Sequence, residues 1–450
     1  MFRLALSSLR FRASGFVASF INVFLGATLL MAFAAMYDTG NAPGVPDGDR
    51  EGLTNMTYVV GGWGILIAAF GVAVTMNLSV RQRATEIALL KSAGATPAQI
   101  GLLIIGETAV VTAVASVLAI PAGYLAGRGL LSLLASADRV GAGIDYRFGA
   151  AALGLGIGNT FVAAAIATFV TARRAAGLST KDALTSASTD SRKLGKGRLI
   201  AGALFLLSGT NCAVLTATLL ADEGFVTEAV AGQACISTSI GFAFLGPLLM
   251  RLMAPVLGPV VRAVSGSSGY LAGVNIRQRA SQSAGVLMPI ILFVGVVAGS
   301  LYLQSVQNNA SVVQSADEKG VETLNLVIVG MIAVFAAVVL INVTLATTMY
   351  RGREFGQQRL IGATPPQVMR MLGFETVVTV VTGLVFGTVA ALAGVIPYSI
   401  ALTGDAVPDI GPGVYLVVIA VLMVVALAAN LGSGWRAIRR PALEAVAVNG

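Results

Sequence analysis

The sequence holds no histidine and only two cysteines, Cys212 and Cys235. Without histidine it lacks the commonest metal ligand and the side chain that ordinarily moves protons near neutral pH. Two cysteines set in apolar runs make neither a disulfide framework nor a four-ligand zinc site. They read as small core residues. Charge is scarce too: Asp, Glu, Lys and Arg make up 11% of the 450 residues, against about 25% in a soluble globular chain. A soluble enzyme is therefore the wrong class. No paired carboxylates and no nucleophile beside a base stand in a compact pattern, so an intramembrane enzyme finds no support. No G-x-x-x-x-G-K-S/T sequence occurs, and thus no P-loop to cradle phosphates. Lys193-Leu194-Gly195-Lys196-Gly197 is a basic turn only.

What the chain has in plenty is apolar sequence, 56% of its residues, with a mean hydropathy of +0.85. A membrane-crossing helix needs about 20 such residues. Windows of that length place ten spans near 14–36, 57–80, 105–127, 148–171, 199–220, 231–250, 285–305, 323–349, 374–398 and 413–434. The first follows Arg3, Arg10 and Arg12 and is too long for a cleaved signal, so it reads as a retained span. Within the spans, Pro121, Pro289 and Pro397 are candidate kinks. Gly154 and Gly158 are a candidate close helix contact, and Asn77, Asn159, Asn342 and Asn430 candidate hydrogen bonders between helices. Arg128 reads as snorkelling to the outer interface.

The few charges alternate along the chain. Segments 1–13, 81–104, 172–198, 251–284, 350–373 and 435–450 hold 24 of the 29 Lys and Arg. The intervening loops hold 14 of the 21 acidic residues, with only Arg50, Arg139, Arg147 and Lys319 as bases. By the positive-inside rule both termini are cytoplasmic. The formal charge of +8 is thus orientation and contact with the inner membrane surface, and no nucleic-acid partner is expected.

Three polar patterns occur twice. Leu9-Arg10-Phe11-Arg12-Ala13-Ser14 returns as Ile276-Arg277-Gln278-Arg279-Ala280-Ser281, 267 positions on. Arg83, Glu86, Lys91, Gly94-Ala95-Thr96-Pro97, Gln99 and Glu107-Thr108 return 268 positions on as Arg351, Glu354, Arg359, Gly362-Ala363-Thr364-Pro365, Gln367 and Glu375-Thr376. Asp182-Ala183-Leu184 returns as Glu444-Ala445-Val446. Shared apolar composition does not produce ordered polar matches. The expected architecture is an all-α membrane bundle of two four-span units, 1–186 and 268–450, joined by a two-span linker, 187–267. Six spans separate corresponding elements, so the repeats run parallel about an axis along the membrane normal.

Thr96-Pro97-Ala98-Gln99 and Thr364-Pro365-Pro366-Gln367 each read as a helix start: a capping Thr, Pro at the first position, and Gln to close a capping box. Gly94 and Gly362 read as the end of a preceding helix. Each unit is expected to break here and continue in a short helix at the inner membrane surface. Glu107 and Glu375, at the inner ends of their spans, fit either a carboxylate on a helix dipole or a charge contact with the repeated segment that changes between states.

The sequence Arg83-Ala84-Thr85-Glu86, Lys91, Gly94-Ala95-Thr96 and Glu107, with its second copy Arg351-Gly352-Arg353-Glu354, Arg359, Gly362-Ala363-Thr364 and Glu375, resembles the FtsX-like permeases of ABC transporters, the MacB-type group. Arg439-Arg440-Pro441-Ala442-Leu443-Glu444 is similar to the tail of those domains. The resemblance implies that segments 82–103 and 350–371 dock cytoplasmic ABC ATPase subunits, two copies per chain. It further implies a bacterial cell membrane, with ATP and Mg held by the partner and no cofactor or metal by this chain. Relatives of this kind carry a large outer domain after the first span or between spans seven and eight; here both loops are short. Export of an amphipathic, lipid-like or antimicrobial compound entering from the membrane lipid is the leading reading. The other is ATP-driven signalling to a cell-wall enzyme or sensor kinase without cargo.

Overall fold

The computed structural model describes residues 13–136, 140–176, 195–221, 225–310 and 351–439, apart from 83, 142, 266, 279 and 408–410, with Pro441 and short pieces between 329 and 348. All described elements are helices, and eight are long and apolar enough to cross a membrane. In chain order they are α1 (Ala13–Gly40), α2 (Asp47–Gln82), α3 (Ala84–Ser92), α4 (Pro97–Ser136), α5 (Ala150–Ala176), α6 (Lys196–Thr218) and α7 (Phe225–Phe244). There follow α8 (Gly246–Ser265), α9 (Ser267–Gln278), α10 (Ala280–Leu292), a π-helical stretch (Phe293–Ala298), α11 (Gly299–Ala310), α12 (Gly352–Leu360), α13 (Pro365–Thr403) and α14 (Gly413–Ile438). Expected span eight is represented by the apolar helix Ala336–Leu345; the rest of it falls mostly outside the described residues. The protein is an all-α integral membrane bundle.

The repeat reappears as helices. The two short helices α3 and α12 have nine residues each, and α4 and α13 have 40 and 39. The chain divides into two compact units, Met1–Thr185 with Gln307–Phe335 and Ser186–Val306 with Ala336–Gly450. In the first, α1 packs against α2, α4 and α5. Its contacts are close because glycines line them: a Cβ on Gly123 would meet Met31 at 2.8 Å, and one on Gly156 would lie closer still to the same side chain. Gly154 and Gly158, the expected contact pair, have nothing within 4 Å of that position. The small residue that matters on α5 is the one between them.

In the second unit α13 is the hub, touching α6, α7, α9, α10, the π stretch and α14. The two helices expected as a linker, α6 and α7, pack on each other and on α13. Gly394 of α13 lies so close to α7 that a Cβ there would collide with the Ala231 carbonyl oxygen. The π stretch is buried throughout and comes after the expected kink residue Pro289.

Helix α8 begins inside expected span six and runs from residue 251 on through segment 251–284, read from sequence as a cytoplasmic connection, yet it is apolar enough to count among the eight. It continues α7. The backbone ladder runs on through Leu245, which donates to the Gly241 oxygen and accepts from Leu249 at 3.1 Å. The break comes at Gly246-Pro247. Pro247 has no N–H to give the Ala243 carbonyl, and Leu248 N–H turns to Leu245 O at 2.8 Å rather than to Phe244. Arg198, at the start of α6, reaches both carbonyls, Nε donating to Phe244 O and Nη2 to Ala243 O at 3.4 Å. One face of α8, with Leu249, Met250, Ala254 and Val261, is buried with Ile276, Ala280, Leu287 and Ile291 of α9 and α10.

Candidate coupling site

The repeated segment forms the same hairpin in both units. Helix α3 ends at a glycine with φ +91°, Gly94, and α12 is followed by Gly362 at φ +104°, the left-handed region that a side chain disfavours. The N–H of Ala95 reaches back to Leu90 O and that of Gly94 to Lys91 O, at 2.9 and 3.0 Å. In the second copy Ala363 bonds Gln358 O at 2.9 Å and Gly362 bonds Arg359 O at 3.1 Å. These bonds satisfy the last carbonyls of the short helix.

Thr96 and Thr364 then start the long helix. The side chain of Gln99 accepts from Thr96 N–H at 2.9 Å, and Gln99 N–H donates to Thr96 Oγ1 at 3.3 Å. The second copy closes the same reciprocal box, Thr364 N–H donating to Gln367 Oε1 at 2.9 Å. Pro97 and Pro365 take the first helical position, where no donor is needed. The order differs from the expectation: the short helix precedes the break, and the long membrane helix itself starts after it.

Apolar side chains root each hairpin. Ile87 packs with Ile100, Ile104, Val80 and Ala172, and Ala95 closes against them. Their partners 268 residues on, Phe355, Val368 and Leu372, pack with Met371, Ala272 and Ile438, and Ala363 closes against these. The alanine of Gly-Ala-Thr is thus the inward anchor of the turn. The repeat was read mostly from polar, glycine and proline residues; these apolar positions carry the same offset and would have marked the root.

Glu375 is the eleventh residue of α13, three turns from its N-terminus, too deep for a helix-dipole role. Its carboxylate instead binds the guanidinium of Arg351: Nη1 donates to Oε2 and Nη2 to Oε1, the latter at 3.1 Å. Asn275 of α9 donates to the same Oε1 at 2.9 Å. Arg351 Nε donates to Glu354 Oε2 at 3.1 Å. Burial alone would lower the Arg351 pKa, but Glu375 and Glu354 hold it above its ordinary value, so the guanidinium stays charged. Arg359 donates to Ile438 O at 2.8 Å, tying α12 to the last turn of α14. In the first unit Glu107 has the same place in α4 and is buried at 2%; Arg83 and the side chain of Glu86 lie outside the described residues. Asn275 carried no signal from sequence, since its counterpart is Ser8.

The tips point outward. Leu89 and Leu90 are 64% and 42% exposed at the end of α3, and Leu360 and Ile361 are 52% and 87% exposed at the end of α12. Gly94, Thr96, Pro97 and Gln99 are exposed with them, as are Gly362, Thr364, Pro365 and Gln367. Of the expected span asparagines, Asn430 links two neighbours: it accepts from Thr348 Oγ1 at 2.7 Å and donates to Thr376 Oγ1. Asn159 is half-buried and Asn342 buried, while the side chain of Asn77 lies outside the described residues. Arg128 is exposed.

A family model, the FtsX-like permease C-terminal domain, matches residues 58–176 and again 326–442. The matches begin 268 residues apart, the offset of the repeat, and together cover more than half of the chain. The chain belongs to the FtsX-like permease family. Each matched stretch contains one hairpin and the long helix that leaves it. As an FtsX-like permease it is the multi-pass membrane component of an ABC-type system, and members of the family generally work with a cytoplasmic ATPase. Nothing among curated proteins matches it.

Proposed function

We propose that this FtsX-like permease is driven by a separate ATPase, one copy docking at each hairpin, and that it moves an amphipathic or lipid-like compound outward across the bacterial cell membrane. The paired hairpins carry the reading. A turn that only reversed the chain would not need a left-handed glycine and a buried root built twice, each beside two exposed apolar residues, Leu89 and Leu90 in one copy and, at other positions of the repeat, Leu360 and Ile361 in the second. Exposed leucine and isoleucine at the end of a short helix are what a groove on a soluble partner buries, and the hairpins lie in segments the positive-inside rule places at the cytoplasmic side. ATP and Mg belong to the partner, since no phosphate-binding loop occurs in this sequence.

The outer loops support membrane-partitioning cargo. None is expected to exceed about 20 residues, too few for a folded capture domain, so recognition falls to the spans and to ligands already in the lipid. The test uses the permease with its ATPase in lipid nanodiscs. Leu89→Glu with Ile361→Glu is expected to abolish ATPase co-purification while each change alone weakens it. Wild-type hydrolysis is expected to rise with the membrane concentration of an amphiphilic probe. ATPase binding unaffected by the double change would remove the tips as the docking site. Hydrolysis that ignores every amphiphile but alters a partner kinase would favour signalling.

A further inference from the structure

The ion pair between α12 and α13 is more than their seam needs to close. The seam between them already has its apolar contact through Phe355, Val368 and Leu372, and well-packed hydrophobic residues commonly serve stability as well as a buried ion pair. Arg351 and Glu375 nevertheless sit there with side chains only 16% and 11% exposed. A two-pronged guanidinium–carboxylate contact adds direction: it fixes both the distance and the angle between the elements.

We infer that Arg351 and Glu375 form a latch that makes the second coupling helix and the long membrane helix one moving part, with Asn275 extending that part to α9. This rests on the docking role of the tips proposed above. Three elements meet on one carboxylate, Arg351 from the start of α12, Glu375 from α13 and Asn275 from α9, and each of its oxygens is engaged. Glu354 steadies the other edge of the guanidinium, and Gln358 of the same helix donates to Glu354 Oε1 at 3.4 Å. A displacement of the α12 tip therefore arrives at α13 three turns above its start, beyond the turn at Gly362. Without the latch the same displacement would be absorbed at that turn. Arg351, Glu375 and Asn275 are positioning residues. Arg83 and Glu107 stand at the matching sequence positions of the first unit.

The experiment has two readings on the full chain in nanodiscs. On the permease alone, amide hydrogen exchange is followed over 352–360. Glu375→Gln is expected to speed it about tenfold or more, the factor implied by a lost charge-assisted hydrogen bond, with exchange in α14 unchanged. The exchanged pair Arg351→Glu with Glu375→Arg is expected to restore much of the protection. With the ATPase bound, Glu375→Gln is expected to lower the ratio of stimulated to basal hydrolysis while the ATPase stays attached. If that variant fails to fold, Arg351→Lys answers instead, since it keeps the charge but loses the two-pronged geometry. Exchange over 352–360 identical to wild type in a folded variant overturns the latch. Faster exchange in a preparation whose wild type binds no ATPase upholds the latch and removes the docking reading.

Discussion

The guanidinium of Arg198 stands in for the backbone donor that Pro247 lacks. Pro247 has no N–H to give the Ala243 carbonyl, and Arg198 reaches across from α6 to donate to that oxygen and to Phe244 O. Hydrogen bonds to a charged donor contribute about 1.5–3 kcal/mol each when a buried acceptor depends on them. Arg198→Met, which keeps the length and apolar stem, is therefore expected to lower the thermal midpoint of the purified protein by several degrees. Arg198→Lys, able to reach one carbonyl, is expected to fall between. Equal midpoints for Met and Arg would show that solvent or lipid headgroups satisfy those oxygens. This contact was not legible in the sequence, because it depends on where α6 crosses α7. The role of Glu375 was legible only as one of two alternatives. Hydropathy marks where an apolar run begins, near 374, whereas the helix begins at Pro365. Read from the apolar run, Glu375 resembles a dipole cap; read from the capped start, it is an internal residue that needs its own cation.

At the scale of the element, the hairpin depends on its turn more than on its helices. Nine-residue helices such as α3 and α12 are too short to persist by propensity alone. The left-handed glycine and the capping box between them and the long helices fix their direction. A Cβ on Gly94 or Gly362 meets no atom within 4 Å, so the cost of substitution lies in the backbone, about 1–2 kcal/mol for a residue forced into that region. Gly94→Val with Gly362→Val is accordingly expected to leave membrane insertion intact and to uncouple hydrolysis from amphiphile stimulation, each single change doing less. Full coupling in the double variant would show that the turn tolerates another geometry. The caps and glycines were legible because each residue type suits one backbone position. Which side of the turn carries the short helix was not, since a short amphiphilic stretch and the start of an apolar one look alike in composition.

For the molecule as a whole, the repeat and the class of fold were legible from charge and from recurring polar residues. The placement of α6 and α7 was not. Two spans between two repeats read as a connection, but small residues at Gly394, Gly209 and Gly241 let them lie close to their neighbours in the second unit. The orientation is open to a direct check. Single cysteines at Asn41 and Asp405, both exposed, are expected to react with an impermeant thiol reagent added outside intact cells. Those at Ser92 and Ile361 are expected to react only after the membrane is opened. Labelling of Ile361 from outside would invert the topology. The length of α13 has a mechanical consequence. Its 39 residues, with Pro397 among them, extend roughly 58 Å along the helix at 1.5 Å per residue, while the hydrocarbon layer is about 30 Å thick. Such a helix crosses the bilayer as a pivoted beam with overhang to spare. A tilt of about 5° around its middle carries the two ends ~2.5 Å in opposite directions, with every internal hydrogen bond of its 1.5 Å-rise ladder intact. Motion begun on one side of the membrane is then available on the other through a single helix.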